Sequence, residues 1–290
     1  MVTIAIPNIS TSDPHKLTVS REAVKAAGAA VLDVHSDNVH NRSVLTVWGT
    51  PSSMAEAMAA LAAVMASVDL RAHRGVHPRL GGLDVCPFVP HESAMQEAVA
   101  LAHETGKEIA LRCGLPVYFY GLAALRPETS ELPALRRGGL NALRARALSG
   151  LAPDEGPATI DPRTGVVCVG ARRTLIAFNV WLDCDAATAR RIATKARTSG
   201  GGLTGVRALG WSIRSRPPRA QVSLNLTDPQ HTGIDAAFKM IEGLAWELGA
   251  AVVATELVGL VPERHLPDPG APAARLLLTP ARKLEDFLPA

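Results

Sequence analysis

The sequence predicts an α/β chain, α+β in detail, built as two subdomains that each carry a mixed sheet with helices on one face. Three observations lead there. Apolar runs of strand length alternate with amphipathic or alanine-rich helical runs, the order strand, helix, strand, strand, helix, strand occurs twice, and a stretch rich in Pro, Gly and Arg separates the two occurrences. With 290 residues and 47% hydrophobic content, the chain can bury enough apolar surface to fold unaided.

The first occurrence opens with an apolar strand at 2–6. A helix follows near 18–28, where Val19, Ala23, Val24 and Ala27 fall at helical spacing, and then strands near 31–35 and 43–48. Pro51-Ser52-Ser53-Met54-Ala55-Glu56 is expected to begin the next helix, because Ser53 and Glu56 have capping-box spacing and an alanine-rich run to about Val68 follows directly. A strand at 83–89 completes the set. A third helix, capped at Ser93 with Gln96 three residues on, is expected to reach Leu111, followed by a short buried strand at 116–120. Residues 122–165, with Arg136-Arg137-Gly138-Gly139 and Pro153-Asp154-Glu155-Gly156-Pro157, are a connecting region of short helices and binding loops.

From Leu175 the order returns: a strand to about Leu182, a helix near 185–198, strands at 204–212 and 220–226, a helix near 232–248 and a strand at 251–256. This is the split, ferredoxin-like βαββαβ order. It places the boundary near 170, between a subdomain of residues 1–170 and one of residues 171–290. The recurrence is one of element order; no residue-level repeat accompanies it.

Composition excludes several classes. Thirty Lys and Arg against 27 Asp and Glu leave a net charge of +3, and aromatics make up 4%, too little for phosphate neutralisation and base stacking, so no nucleic-acid partner is expected. Cys86, Cys113, Cys168 and Cys184 lie far apart with no C-x-x-C pair, as expected of reduced thiols in a cytoplasmic protein. The opening Met1-Val2-Thr3-Ile4-Ala5-Ile6-Pro7 lacks a basic segment before its short apolar run, and the most apolar stretches, near 54–68 and 250–262, are interrupted by Glu56 and Glu256. Neither a leader nor a membrane partner is expected.

Polar residues concentrate in His35-Ser36-Asp37-Asn38-Val39-His40-Asn41-Arg42 and in His73-Arg74-Gly75-Val76-His77-Pro78-Arg79-Leu80-Gly81-Gly82-Leu83-Asp84. Two histidine-rich loops on one sheet can face a common site, which makes Asp37, Asn41, Arg42, Arg79 and Asp84 candidate substrate ligands. His73 and His77 have the four-residue spacing of metal ligands on a helix, but Pro78 pushes His77 out of helical geometry, and no metal is expected. A histidine titrating near neutrality suits His77 for general acid/base work. Gly200-Gly201-Gly202 lacks the Gly-Lys-Ser/Thr of a phosphate loop. Asn179 and Asn225, on apolar strands, can donate to a ligand, and Arg172 and Arg173 can hold carboxylates.

At these residues the sequence resembles the glutamate formiminotransferase family. The matching text is His77-Pro78-Arg79-Leu80-Gly81-Gly82-Leu83-Asp84-Val85-Cys86-Pro87-Phe88-Val89-Pro90, Leu115-Pro116-Val117-Tyr118-Phe119-Tyr120-Gly121, Gly170-Ala171-Arg172-Arg173, Leu175-Ile176-Ala177-Phe178-Asn179, Gln221-Val222-Ser223-Leu224-Asn225-Leu226 and Glu256-Leu257-Val258-Gly259-Leu260-Val261-Pro262. The resemblance implies transfer of a formimino group from N-formimino-L-glutamate to N5 of tetrahydrofolate, in histidine degradation and one-carbon metabolism, by a cytoplasmic homodimer. It makes His77 the catalytic acid/base, with Asp37 or Asp84 stabilising its charged form, and assigns folate to a ligand cleft between the subdomains and to a stretch at 156–165, hence Gly156, Pro157, Thr164 and Gly165. Arg172 would serve the substrate side, and Asn179 and Asn225 the folate side. Ile6-Pro7-Asn8-Ile9-Ser10-Thr11-Ser12 departs from the family's Val-Pro-Asn-Phe-Ser-Glu-Gly, and the loop at 199–203 is shorter and less basic. Those departures leave room for a folate-binding relative without turnover, or for another formimino or formyl donor. The cyclodeaminase fused to animal versions is not expected within 290 residues.

Overall fold

The computed structural model describes residues 2–75, 78–213 and 219–289. The chain divides into two compact units, Met1–Arg172 and Arg173–Ala290.

In the first unit the opening apolar run forms two short strands, β1 (Thr3–Ala5) and β2 (Asn8–Ile9), either side of Pro7, which has no N–H for the ladder. Helix α1 (Pro14–Ala26) starts four residues before its expected position because Asp13 caps it, accepting from His15 N, with proline at the first helical position. Strands β3 (Ala30–Asp37) and β4 (Arg42–Trp48) form a hairpin. Helix α2 (Pro51–Met65) is capped by Thr50, whose hydroxyl accepts from Ser53 N at 3.3 Å, so the Ser53/Glu56 capping box does not form. The helix begins at Pro51, as expected, with Ser53 inside the first turn rather than at the cap.

Strand β5 (Leu83–Pro90) leads to α3 (Met95–Cys113), and here too the expected cap is not used. Ala94 occupies the cap position without a side-chain bond, while Ser93 Oγ bonds Thr3 Oγ1 at 2.5 Å and Val2 O at 3.2 Å. Strand β6 (Val117–Gly121) is followed by the short helices α4 (Pro127–Ser130), α5 (Leu132–Arg136) and α6 (Gly139–Leu148), then by β7 (Val167–Ala171).

Strand β7 has no counterpart among the elements expected from the sequence. Its five residues are all buried, so they show no alternation, and the strand lies parallel between β5 and β6. The sheet runs β3, β4, the β1/β2 pair, β5, β7, β6. One face, with Phe88, Val117, Phe119, Val167 and Val169, packs on residues of α2 and α3 such as Met58, Leu61, Ala98 and Ala102. The opposite face of the β5–β7–β6 half, with Val85, Tyr118, Tyr120 and Cys168, is covered by Leu135, Leu143 and Ala147 from α5 and α6. The connecting region is thus a second layer over the sheet.

The second unit comprises β8 (Ile176–Leu182), α7 (Ala186–Ala196), β9 (Val206–Ile213), β10 (Arg219–Leu226), α8 (Ile234–Glu247) and β11 (Val252–Leu257). Its antiparallel sheet is ordered β11, β8, β10, β9. Phe178, Val180, Val222 and Leu224 pack against Ile192 of α7 and Phe238 and Ile241 of α8. Helix α9 (Pro272–Arg275) follows, and Thr255 on β11 donates to Ala273 O at 2.7 Å. No described helix is long and apolar enough to cross a membrane.

Val169 is fully buried at the centre of β7. Val169→Ala should therefore lower the unfolding free energy by about 2 kcal/mol, the transfer and cavity cost of two methyl groups, as measured by denaturant titration.

Candidate active site

The polar segments expected to converge do so at one end of the first sheet. Asp37 and Arg42 are the closing pair of the β3–β4 hairpin, and Asp37 shapes its turn: Oδ1 accepts from Val39 N at 2.7 Å and His40 N at 2.9 Å, an Asx arrangement, while Oδ2 meets His40 Nδ1 at 2.7 Å. Asn41 completes the turn at φ 45°, a left-handed conformation that asparagine tolerates. Its Oδ1 accepts from Ser12 N and Ser12 Oγ, and its Nδ2 donates to Arg74 O at 2.9 Å. The turn therefore holds the N-terminal loop on one side and the 73–84 loop on the other.

His77 lies outside the described residues, but both flanks of its loop are fixed. Upstream, His73 Nε2 meets Ser10 O at 2.9 Å and Asn41 O at 3.2 Å, and its Nδ1 faces Arg79 Nη1. Only the tautomer with the proton on Nε2 serves these partners. Burial, and then the Arg79 charge, push the His73 pKa down, so the ring stays neutral. Downstream, Arg79 Nη2 donates to His40 O at 3.2 Å, Leu80 N donates to Asp84 Oδ1 at 2.6 Å, and Ser10 Oγ donates to Gly81 O at 2.7 Å.

Gly81 and Gly165 explain why the 156–165 segment reaches this loop. They form an antiparallel bridge so close that a Cβ on Gly81 would sit 1.9 Å from Val166 O, and one on Gly165 1.9 Å from Leu80 O. Gly165 also has φ +71°, and Thr164 O accepts from Gly82 N at 3.3 Å. Gly156, at φ +81°, packs instead against Leu115 O, and Pro157 is exposed.

Asp84 is 2% exposed, and its second oxygen accepts from Arg136 Nη2. Arg136 lies in the region that connects the two recurrences of the element order, and the α5 layer brings it to the site. Arg42 is close enough for its pKa to be pushed down to about 10, first by burial and next by the Arg136 charge, with Asp84 opposing and Arg79 adding to the fall. Both carboxylates expected to stabilise a charged His77 thus have firm partners: Asp37 in His40 and two backbone N–H groups, Asp84 in Arg136 and Leu80 N.

Arg172 follows β7, donates its backbone N–H to Phe88 O at 3.0 Å and hydrogen-bonds the Tyr120 side chain. In the second unit, Asn179 has both amide atoms engaged, with Nδ2 donating to Glu256 Oε2 at 2.9 Å and Oδ1 accepting from Ser223 Oγ at 2.6 Å. Gln221, on the same sheet face, lies 3.5 Å from Glu256 and is 2% exposed; set within an apolar run, it carries no local signal of this polar role. Asn225 is exposed on that face. Cys86 and Cys168 are fully buried, which pushes both thiols up and leaves them poor nucleophiles.

Among the described residues no group of three or more His, Cys, Asp or Glu could hold a metal; the His73/His77 pairing is outside that set because of His77.

The hairpin turn should respond to acid in a definite direction. Burial alone would raise the Asp37 pKa, but the His40 side chain and the backbone N–H groups of His40 and Val39 outweigh it and hold it at about 2, against an ordinary 3.8. Its contribution to stability is complete above pH 3.8 and is lost as pH falls through about 2. The stability gap between wild type and Asp37→Asn, followed by thermal melts, should be constant above about pH 5 and shrink towards pH 2.

Residues 2–172 match the family model for the N-terminal subdomain of the formiminotransferase domain, and residues 177–271 match that for the formiminotransferase domain. The formimidoyltransferase-cyclodeaminase of Sus scrofa is 39% identical over 277 residues, covering 92% of this chain and 51% of that protein. The glutamate formimidoyltransferase of Streptococcus pyogenes serotype M1 is 36% identical over 269 residues, 91% of this chain and 90% of that protein. That of Thermoplasma acidophilum is 36% identical over 271 residues, covering 91% and 89%. The chain spans about half the length of the formimidoyltransferase-cyclodeaminases it matches and most of the length of the glutamate formimidoyltransferases. It belongs to the formiminotransferase family.

Proposed function

We propose that the chain transfers the formimino group of N-formimino-L-glutamate to N5 of tetrahydrofolate, a step of histidine degradation and one-carbon metabolism. The carrying observation is end-to-end similarity to two proteins named glutamate formimidoyltransferase, with the family's His-Pro-Arg segment present as His77-Pro78-Arg79.

The transfer needs one group that accepts the proton lost from N5 as the new C–N bond forms and returns a proton to the departing amino nitrogen. An imidazole with an ordinary pKa does both near neutrality. Of the loop's two histidines, His73 has both ring nitrogens engaged, by Arg79 on one side and main-chain carbonyls on the other, and is held neutral. That supports His77 as the relay. The bonds at Ser10, Asn41, Asp84 and Gly165 hold the loop's two described ends. On the substrate side we propose Asp37, Asn41, Arg42, Arg79, Asp84 and Arg172. For folate we propose the 156–165 stretch and Asn225, with Asn179 acting through Ser223 and Glu256. The family resemblance also supports a cytoplasmic homodimer.

With tetrahydrofolate and a panel of formimino and formyl amino acids, formiminoglutamate should give the highest kcat/KM, followed by appearance of the formimino-folate. Binding of tetrahydrofolate without turnover of any donor would instead identify a folate-binding protein. His77→Ala should melt like wild type and bind folate, yet lose kcat by about 10² to 10⁴, the usual contribution of a positioned acid/base group. Wild-type rates in that variant would remove His77 from the chemistry.

A further inference from the structure

We infer that Arg42, with Arg79 and Arg136 around it, forms a buried receptor for a substrate carboxylate beside Asp84. The inference rests on the transferase reading and adds to it a recognition element and a residue, Arg136, that sequence reading did not assign.

Three guanidiniums, those of Arg42, Arg79 and Arg136, act on one another and on Asp84. Asp84 is matched by Arg136. Asp37, the other nearby carboxylate, has both oxygens occupied by His40 and the backbone N–H groups of the turn. Among the described residues no carboxylate pairs directly with Arg42, and two buried guanidinium N–H groups, Arg42 Nε and Arg136 Nε, have no acceptor. Burying a charged donor without an acceptor is costly, and proteins keep such groups chiefly where something else completes them.

The complement of a guanidinium fork is a planar anion with two oxygens, and arginine is the residue that recognises it in low-dielectric surroundings. A lysine cluster would be more strongly hydrated and would resist burial. The hairpin places Arg42 immediately after Asn41, which is tied to Ser12 and Arg74, so the receptor borders the loop that carries His77. Two sources could supply the carboxylate, the amino-acid donor or the glutamate tail of folate. Position beside the acid/base loop favours the donor, and the experiment separates them.

Wild-type protein should be stabilised by glutarate in a thermal-shift titration and not by glutaramide, which has the same skeleton without charge. Arg42→Gln should abolish that difference. In calorimetry and steady-state kinetics it should weaken formiminoglutamate about 10- to 100-fold, the factor expected for a lost charge-assisted hydrogen bond, with little change for tetrahydrofolate. If Arg42→Gln instead weakens tetrahydrofolate but not tetrahydropteroate, which lacks the tail, the receptor holds the folate carboxylate. Unchanged affinity for all three in a folded variant overturns the receptor and leaves the transferase reading standing. Carboxylate binding through Arg42 in a chain that turns over no donor does the reverse. If Arg42→Gln fails to fold, the wild-type comparison decides: equal shifts with glutarate and glutaramide overturn the proposal.

Discussion

A carboxylate that is almost wholly out of water cannot stand alone, and Asp84 is such a group. One oxygen takes the Leu80 N–H and the other the Arg136 guanidinium, so a single side chain joins the end of the 73–84 loop, the start of β5 and the short helix α5. Removing either partner would leave a buried, uncompensated charge, typically a loss of about 3–5 kcal/mol. The layer of α5 and α6 over the sheet therefore does more than cover Tyr118 and Cys168. It delivers the cation that pairs with Asp84 where the loop needs an acceptor.

Around that ion pair the backbone is drawn tight from two directions. The Gly81–Gly165 bridge leaves no room for a side chain on either residue, and it stacks the 156–165 segment directly on the loop. From the N-terminal side, Ser10 bonds Gly81 O through its hydroxyl and Gly82 O through its backbone N–H, while Ser12 bonds Asn41. This is the loop in which the chain departs from the family's text, and the residues that make these contacts include Ser10, which is shared, and Ser12, which stands where the family has Gly. The departure thus adds a hydroxyl to Asn41 and keeps the support of Gly81.

The second unit handles its polar groups differently. Its helix-covered face is apolar apart from Thr255, whose hydroxyl is satisfied by Ala273 O, whereas the other face gathers Asn179, Gln221, Ser223 and Glu256 across three strands into one hydrogen-bonded row. Asn179 is thereby oriented by its neighbours, a role that spacing along one strand cannot reveal, since Ser223 and Glu256 are 44 and 77 residues away.

Sequence by itself determined the element order, because strand and helix periods are local properties of neighbouring side chains, and it singled out the two histidine-rich loops because chemistry-bearing residues are dense there. It missed β7, since a strand buried on both faces has no alternation to read, and it misplaced the caps of α2 and α3, since Thr50, Ser53 and Ser93 all have suitable side chains and only the path of the backbone selects among them. Tertiary structure alone decided that His73 is neutral and structural, that Asp84 belongs to Arg136, and that Gly165 crosses Gly81. Each of these depends on groups far apart in the chain being brought within hydrogen-bond distance in a buried setting, where solvent cannot substitute for a missing partner, and no local pattern in the sequence carries that information.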